Sequence, residues 1–418
     1  MHKLFTVCMV ILVPMALLFG GGYQIGEHGA KAMGMGGAFV AQASDPSAIY
    51  FNPAGLAFQK GLNIFAGATL IAPKSDFTGP TPSTVKTDME SQTFYPPNAY
   101  VTYGLENGWS FGVGIFTPFG LGTEWKPDWP GRYLAVKTEL QTFYVNPSVA
   151  YKINEKFSVG AGVSYVFGNV ELTRKINIGL PVPDWNSKLK GDGNGVSFNA
   201  GVLYKPTEQV SLGLSYRSLV RIKFEGDATF TDVPNIPLPS PPYPPGLTLP
   251  ALFPDQTGTT KLPMPADLKA GIAYNVNENF TVEGDFEYVF WSAYDSLVLE
   301  FDKGVGGDKV LAQEKDYKNS FLVRFGGEYR FEKVAIRAGF VYDQSPVPDK
   351  SLEPLLPDAN RVEGIIGVGY QFNKNFRADL AYQYIKASER TVTSPTNVFP
   401  GTYNSTANLI GLNIGVIL

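Results

Sequence analysis

The chain has 418 residues, 17% of them charged and 13% aromatic, with 45 glycines, 32 prolines and a formal charge of −4. That balance, with no basic cluster, argues against a nucleic-acid surface. A mean hydropathy of −0.04 reads as soluble, yet a membrane barrel gives the same value, because only alternate strand residues meet lipid.

Lys3, an apolar run from Leu4 to Phe19, and then Gly20, Gly21 and Gly22 have the form of an export signal over residues 1–22. Pro14 and the shortness of the run weigh against a retained anchor. A cut between Gly20 and Tyr23 removes Cys8, the only cysteine, so the mature chain is expected to carry no thiol or disulfide chemistry. No later apolar run approaches the ~18 residues that a membrane helix requires. The exported chain is therefore soluble, or it enters a membrane as a barrel.

Residues 23–60 are rich in Gly, Ala and Met and lack strand periodicity. Asp45-Pro46 and Asn52-Pro53 each place a capping side chain before a proline, which suits a helix start. Asn52 must also leave the helical region because proline follows it. Two short turns are expected here, in a compact segment able to sit inside a barrel. The Gly-rich run 34–37 has neither the preceding strand nor the lysine of a phosphate-binding loop.

From Gly61 onward the pattern has period two. Phe157, Val159, Ala161, Val163, Tyr165 and Phe167 alternate with Ser158, Gly160, Gly162 and Ser164. Phe280, Val282, Phe286 and Tyr288 alternate with Thr281, Glu283, Asp285 and Glu287, and Phe376, Leu380, Tyr382 and Tyr384 with Arg377, Asp379 and Gln383. One apolar face and one small or polar face identify strands. About fourteen such segments can be drawn, an even number within the range of bacterial outer-membrane barrels. They cover 61–72, 94–104, 109–117, 138–153, 157–178, 195–206, 210–230, 259–276, 280–302, 314–331, 333–343, 360–373, 375–391 and 402–418. Short connections, such as 154–156, 207–209 and 373–375, alternate with long ones at 73–93, 118–137, 179–194, 231–258, 303–313, 344–359 and 392–401. That is the rhythm of inner turns and external loops in an up-and-down membrane barrel. Aromatics near strand ends (Tyr151, Tyr204, Tyr274, Tyr329, Phe331, Tyr370, Phe372) suit an interfacial girdle. A soluble sandwich would instead show charge on its outer face.

The export signal, the Asn52-Pro53-Ala54 stretch, the strand count and the apolar last strand together resemble the FadL/TodX family of outer-membrane transporters for long-chain fatty acids and aromatic hydrocarbons. Further matching stretches are 119–125 (FGLGTEW), 214–226 (LSYRSLVRIKFEG), 343–349 (DQSPVPD) and 357–361 (PDANR). Leu418 departs from the aromatic residue with which such chains usually end. The resemblance implies an all-β transmembrane fold: a 14-stranded antiparallel barrel over 61–418 with an N-terminal hatch, 23–60, inside its lumen. It implies capture of cargo among external loops, passage to an interior pocket, and sideways release through the wall beside a kinked strand.

Candidate site residues follow. The apolar stretch 118–134 carries Phe119, Leu121, Trp125 and Trp129, expected to contact substrate because an exposed apolar patch usually marks a binding site; packing into a loop cap is the alternative. The Pro-rich stretch 234–254 should be stiff and stands as either a groove frame or a lid. A carboxylate cargo would need a cation, and Arg174 and Arg361 lie late or early enough in their strands to supply one; ion pairing with lumenal acids is the alternative. Gly112 and Gly114, ahead of Pro118, are candidates for the lateral opening. Asn52, Pro53 and Ala54 are candidates for shaping or gating the hatch. No catalytic, metal or cofactor site is expected, since His28 is the single histidine after the signal. The reading is a monomeric, non-enzymatic channel in the outer membrane of a Gram-negative bacterium. Its partners are a hydrophobic small molecule and the surrounding lipid and lipopolysaccharide. A gated general porin and an adhesive barrel are the alternatives.

Overall fold

The computed structural model describes residues 21–80, 82–179, 181–240 and 243–418. The expected export signal, residues 1–22 with Cys8, lies outside the described residues except for Gly21 and Gly22. From Gly61 the chain winds through a closed 14-stranded antiparallel barrel. Its first strands are β1 (Gly61–Thr78), β2 (Pro97–Gly104), β3 (Trp109–Phe116, resumed over Gly120–Glu124), β4 (Lys137–Asn154), β5 (Phe157–Ile176) and β6 (Trp185–Tyr204). Four interrupted or composite strands follow: β7 (Val210–Arg217 and Val220–Thr231), β8 (Gln256–Met264 and Asp267–Asn275), β9 (Phe280–Val289 and Ser296–Val305) and β10 (Asp308–Glu314 and Ser320–Phe331). Then come β11 (Val334–Asp343), β12 (Arg361–Gln371), β13 (Phe376–Ala387) and β14 (Gly401–Ile417). β14 pairs with β1 from Asn63↔Ile417 to Thr78↔Thr402, which closes the wall and leaves no sheet edge at the seam.

Alternation decides which way each side chain points. Val163, Tyr165, Phe198, Ile272, Phe286, Phe325, Ile336, Phe340, Leu380, Leu412 and Ile414 are exposed on the outside. Ser158, Ser164, Glu283, Asp285, Glu287, Arg324, Arg337, Asp379 and Asn413 are buried on the inside. An apolar exterior of this extent would aggregate in water, and lipid is the solvent that suits it. Trp109, Tyr151, Tyr204, Tyr274, Tyr329 and Tyr370 ring the short-turn end, where an amphipathic ring is stable at a membrane interface.

Several expected boundaries move. β1 continues to Thr78 and β6 begins at Trp185, so the wall stands taller on the external side than expected. Residues 303–313 form no long connection: β9 and β10 meet at Gly306-Gly307, whose φ values of 65° and 102° supply the two positive angles a tight hairpin needs. Within 118–137, Gly120–Glu124 is a strand paired with β4 rather than loop. β7 to β10, expected as continuous, each break once; in β8 the break falls at Pro265, which has no N–H to donate.

Residues 23–60 pack against the inward faces of the strands. They contain α1 (Ala30–Gly34), α2 (Ala48–Phe51) and a 3₁₀ turn, Pro53–Phe58. The break between the last two is at Asn52, held extended at φ −159° before its proline. Asp45 starts the first turn, its Oδ1 accepting from the Ser47 N–H at 2.9 Å. Small residues make this packing possible: a methyl group on Gly160, Gly201, Gly213, Gly326 or Gly339 of the wall would overlap the segment itself. Gly36 and Gly37, at φ 69° and 71°, turn the segment so that four consecutive N–H groups face the wall. Asp285 Oδ2 accepts from Phe39 (2.8 Å) and Val40 (3.0 Å), and Glu283 accepts from Ala41 (2.6 Å) and Gln42 (3.2 Å).

Candidate functional site

β3 is where the wall loses regularity. Phe116 faces Tyr144 of β4 and Gly120 faces Gln141, so one more residue is spent on β3 than on its partner. Pro118 sits in that bulge. Past it, Gly120–Glu124 pairs with β4 on one side, while β2 has already ended at Pro97 on the other. The N-terminal segment covers the bulge from inside: the Ile25 N–H donates to the Pro118 carbonyl at 2.8 Å, and the Gly120 N–H donates to the Tyr23 carbonyl at 3.0 Å.

A cavity of about 640 Å³ opens beside this break. Gln24, Ile25 and Glu27 form its floor, Ile71, Leu409 and Ile385 its far side, and Leu121, Leu140 and Phe94 its near side. Its lining extends to Tyr95 and Phe143. Tyr95 is exposed, and Phe143 stacks on the lipid-facing Phe167 at 5.5 Å. The cavity thus runs from the lumen to the outer face of the wall.

Its inner end is polar. Arg361, the register partner of Asp343, places Nη2 2.9 Å from Asp343 Oδ2 and Nε 3.0 Å from Glu363 Oε1. Asp358 accepts from the Gly22 N–H (3.3 Å) and the Ser345 hydroxyl (2.6 Å), and burial pushes its carboxyl above the usual range. Gln383 donates to Glu27 at 2.9 Å and to Glu363 at 2.7 Å. One guanidinium, already paired twice, therefore meets Glu27, Asp343, Asp358 and Glu363. Gln24 Oε1 and Thr117 Oγ1 are buried in the cavity lining with no protein partner among the described residues; each could serve a neutral polar group.

Of the residues singled out from sequence, Leu121 and Arg361 line this cavity. Phe119 packs inward, edge-on to Tyr23 at 6.1 Å and near Trp291. Trp125 and Trp129 stack on each other at 4.3 Å beneath the external loops, with Phe77 and Phe399 against Trp129 and the two indole N–H groups donating to the Pro354 and Ala135 carbonyls. Arg174 faces inward higher in β5, with Glu353 the nearest charge acting on it. Gly112 and Gly114 occupy regular ladder positions against Ile49 and Tyr100, and the interruption lies beyond them at 117–119. Asn52 donates to the Val40 and Val202 carbonyls and accepts from Ala54, whose own carbonyl takes the Ser158 hydroxyl; Pro53 packs on Gly160. Gln24, Thr117 and Asp358 were not singled out, because only the folded wall brings them to the cavity.

His28 lies under the cavity, its ring 3.7 Å from that of Tyr50 and its Nε2 2.9 Å from the Ile25 carbonyl. Burial lowers its pKa to about 3. The undocked segment binds a proton near pH 6.5 and the docked one does not, so docking weakens as pH falls from about 6.5 toward 3, by about 1.4 kcal/mol per unit. The unfolding temperature of the parent, taken relative to that of His28→Gln, should therefore be highest at pH 7 and fall steadily toward pH 4. An equal gap at both pH values would refute this.

Residues 14–416 match the sequence model of the outer membrane protein transport protein family (OMPP1/FadL/TodX). The chain belongs to this family. It is an outer-membrane protein. It is similar to a long-chain fatty acid transport protein of Escherichia coli (strain CFT073), 26% identical over 392 residues, 87% of this chain and 86% of that one. Among solved structures it resembles a Pseudomonas aeruginosa FadL homologue, with a TM-score of 0.79 at 21% identity over 95% of this chain and 100% of that one. It also resembles the Ralstonia pickettii toluene transporter TbuX, with a TM-score of 0.71 at 22% identity over 92% and 97%. The family's fold is thus present along nearly the whole chain.

Proposed function

We propose that this chain, acting as a single barrel and without a chemical step, carries an uncharged hydrophobic molecule passively across the outer membrane. Cargo enters among the external loops, occupies the cavity above Gln24 and Glu27, and leaves into the membrane beside the β3 bulge. The observation that carries the reading is the cavity's continuity from Arg361 in the lumen to Tyr95 and Phe143 at the wall. Residues 23–60 serve as the hatch, and Asn52, Pro53 and Ala54 hold its turn against β5 and β6. The relatives' names point to two cargo classes, fatty acid and toluene. The charges favour the second, because a carboxylate would meet acids that outnumber Arg361, itself already paired. Burying an unpaired anion there is costly. His28 offers no general base, since its ring is enclosed and stacked.

The test is uptake of labelled toluene and of a labelled long-chain fatty acid by cells carrying the protein. Toluene uptake should saturate, and Leu121→Trp or Ala359→Trp, each filling the cavity, should lower it at least about tenfold, or about 1.4 kcal/mol. Arg361→Ala should not selectively remove fatty-acid uptake. A fatty acid taken up in preference, and lost with Arg361→Ala, would overturn the uncharged-cargo reading. Absence of hydrophobic uptake, with sugar permeation rising when 23–60 is deleted, would leave a gated porin.

A further inference from the structure

The outside of the wall carries a feature that transport through the lumen does not use. Arg221 and Lys223 on the external part of β7, and Lys261 on the external part of β8, are all exposed and point outward. Lys223 and Lys261 are direct cross-strand partners, and Arg221 stands one outward position nearer the membrane. Like charges facing each other across an antiparallel pair repel.

Their height is fixed by β6. Lys223 lies level with Asn194, and two residues further along β6 the outward face becomes apolar at Val196, followed by Phe198, which are 64% and 52% exposed. Leu214 and Leu268 continue that apolar surface on β7 and β8. The three cations therefore form the first polar rung above the lipid band, at the end of the barrel opposite the short turns. Acidic residues come further out: Glu225 reaches Lys223 at 3.6 Å, and Asp192 and Asp227 lie beyond. Arg221 and Lys261 have no ion pair and no side-chain hydrogen bond among the described residues. The neighbouring wall behaves differently. There Lys137 and Lys188 are matched by Glu139 and Glu171 at 2.7–3.6 Å.

We propose that Arg221, Lys223 and Lys261 bind the phosphorylated headgroup of a lipopolysaccharide molecule in the outer leaflet, whose acyl chains lie along Val196, Phe198 and Leu214. Charge complementarity and depth select this occupant. A phosphate on a lipid anchored in the adjacent band arrives at the height of the trio, where the Arg fork takes it in two bonds and the lysines add point charge. Binding relieves the repulsion that the bare wall retains.

The test is binding of purified bisphosphorylated lipid A, its dephosphorylated form and phosphatidylglycerol to the full chain in detergent, with thermal unfolding alongside. Arg221→Gln/Lys223→Gln/Lys261→Gln should lose at least about tenfold in affinity for lipid A, while the charge-matched Lys156→Gln/Lys333→Gln/Lys374→Gln, in the short turns, should match the parent. Without lipid the first triple variant should unfold at a higher temperature than the parent, and with lipid A at a lower one. That crossing of the two curves also shows that the variant folds. The proposal is overturned if the first triple variant binds lipid A like the parent. It is also overturned if both triple variants lose affinity alike, or if the parent holds phosphatidylglycerol or dephosphorylated lipid as tightly as lipid A.

Discussion

Replacing Glu283 and Asp285 together by alanine should convert the barrel from closed to ion-conducting. The two carboxylates receive the N–H groups of Phe39, Val40, Ala41 and Gln42, four in succession. A hydrogen bond contributes about 0.5–1.5 kcal/mol net, and each orphaned buried donor adds a desolvation cost of about 1–3 kcal/mol. Even with strong non-additivity, a loss of about 5 kcal/mol raises the undocked population on the order of a thousandfold. The wall itself gains no strain, because β8, β9 and β10 keep their ladders. In planar bilayers the double variant should show long, large conductance steps where the parent shows rare ones. Glu283→Gln/Asp285→Asn, which keeps neutral acceptors in place, should fall between them. Parent-like conductance from a correctly folded double alanine variant would show that the segment is held by its packing alone.

The barrel was legible because lipid enforces alternation. Within the apolar band each outward residue must be apolar, so Leu412, Ile414, Phe286 and Tyr382 stand out against Asn413, Asp285 and Gln383. Above the band both faces meet water or loops, and the signal fades. For that reason the start of β6, from Trp185 to Asn194, and the hairpin over 303–313 read as connections although they belong to strands. Gly120–Glu124 has too few side chains to show a period at all. Local chemistry was also readable: proline after Asp45 and after Asn52 marks the two turns of the N-terminal segment without reference to the rest of the fold. The cavity was not. Glu363 could be placed on the face of Arg361 by its spacing of two, but Asp343 reaches that guanidinium only through the β11–β12 register. Trp125 and Trp129 in a long connection suggest contact with cargo, and their stacking on each other depends on a fold that the spacing of four does not reveal. The bulge falls at 117–119, since Gly112 and Gly114 are used for close approach to Ile49 and Tyr100.

Arg337→Leu is expected to be among the most damaging single changes in the lumen. Arg337 Nε lies 2.6 Å from Glu328 Oε2, and Nη1 lies 2.7 Å from Asp379 Oδ1, all three side chains being almost wholly buried. The same chain of charges continues through Arg377, which lies 3.3 Å from Asp379 and 3.0 Å from Asp45 of the N-terminal segment. Removing the central cation takes a buried partner from both carboxylates, leaving Glu328 only the half-exposed Arg330 and Asp379 only Arg377, and breaking a buried pair costs about 3–5 kcal/mol. Leucine fills the volume beside Gly34 and Gly367, so the loss is electrostatic rather than a cavity. Melting of Arg337→Leu in detergent should fall well below the parent at pH 7. Adding Glu328→Gln and Asp379→Asn should recover most of it, because the two positions that lost their shared cation are then neutral, while Arg377 keeps its pair with Asp45. Failure of the triple variant to recover would mean that Arg337 contributes through packing against the N-terminal segment at Gly34. The drop should also shrink on acidification in Arg337→Leu, as protonation of the under-compensated carboxylates removes the charge that the missing guanidinium balanced; a drop that grew instead would place the damage elsewhere in the network.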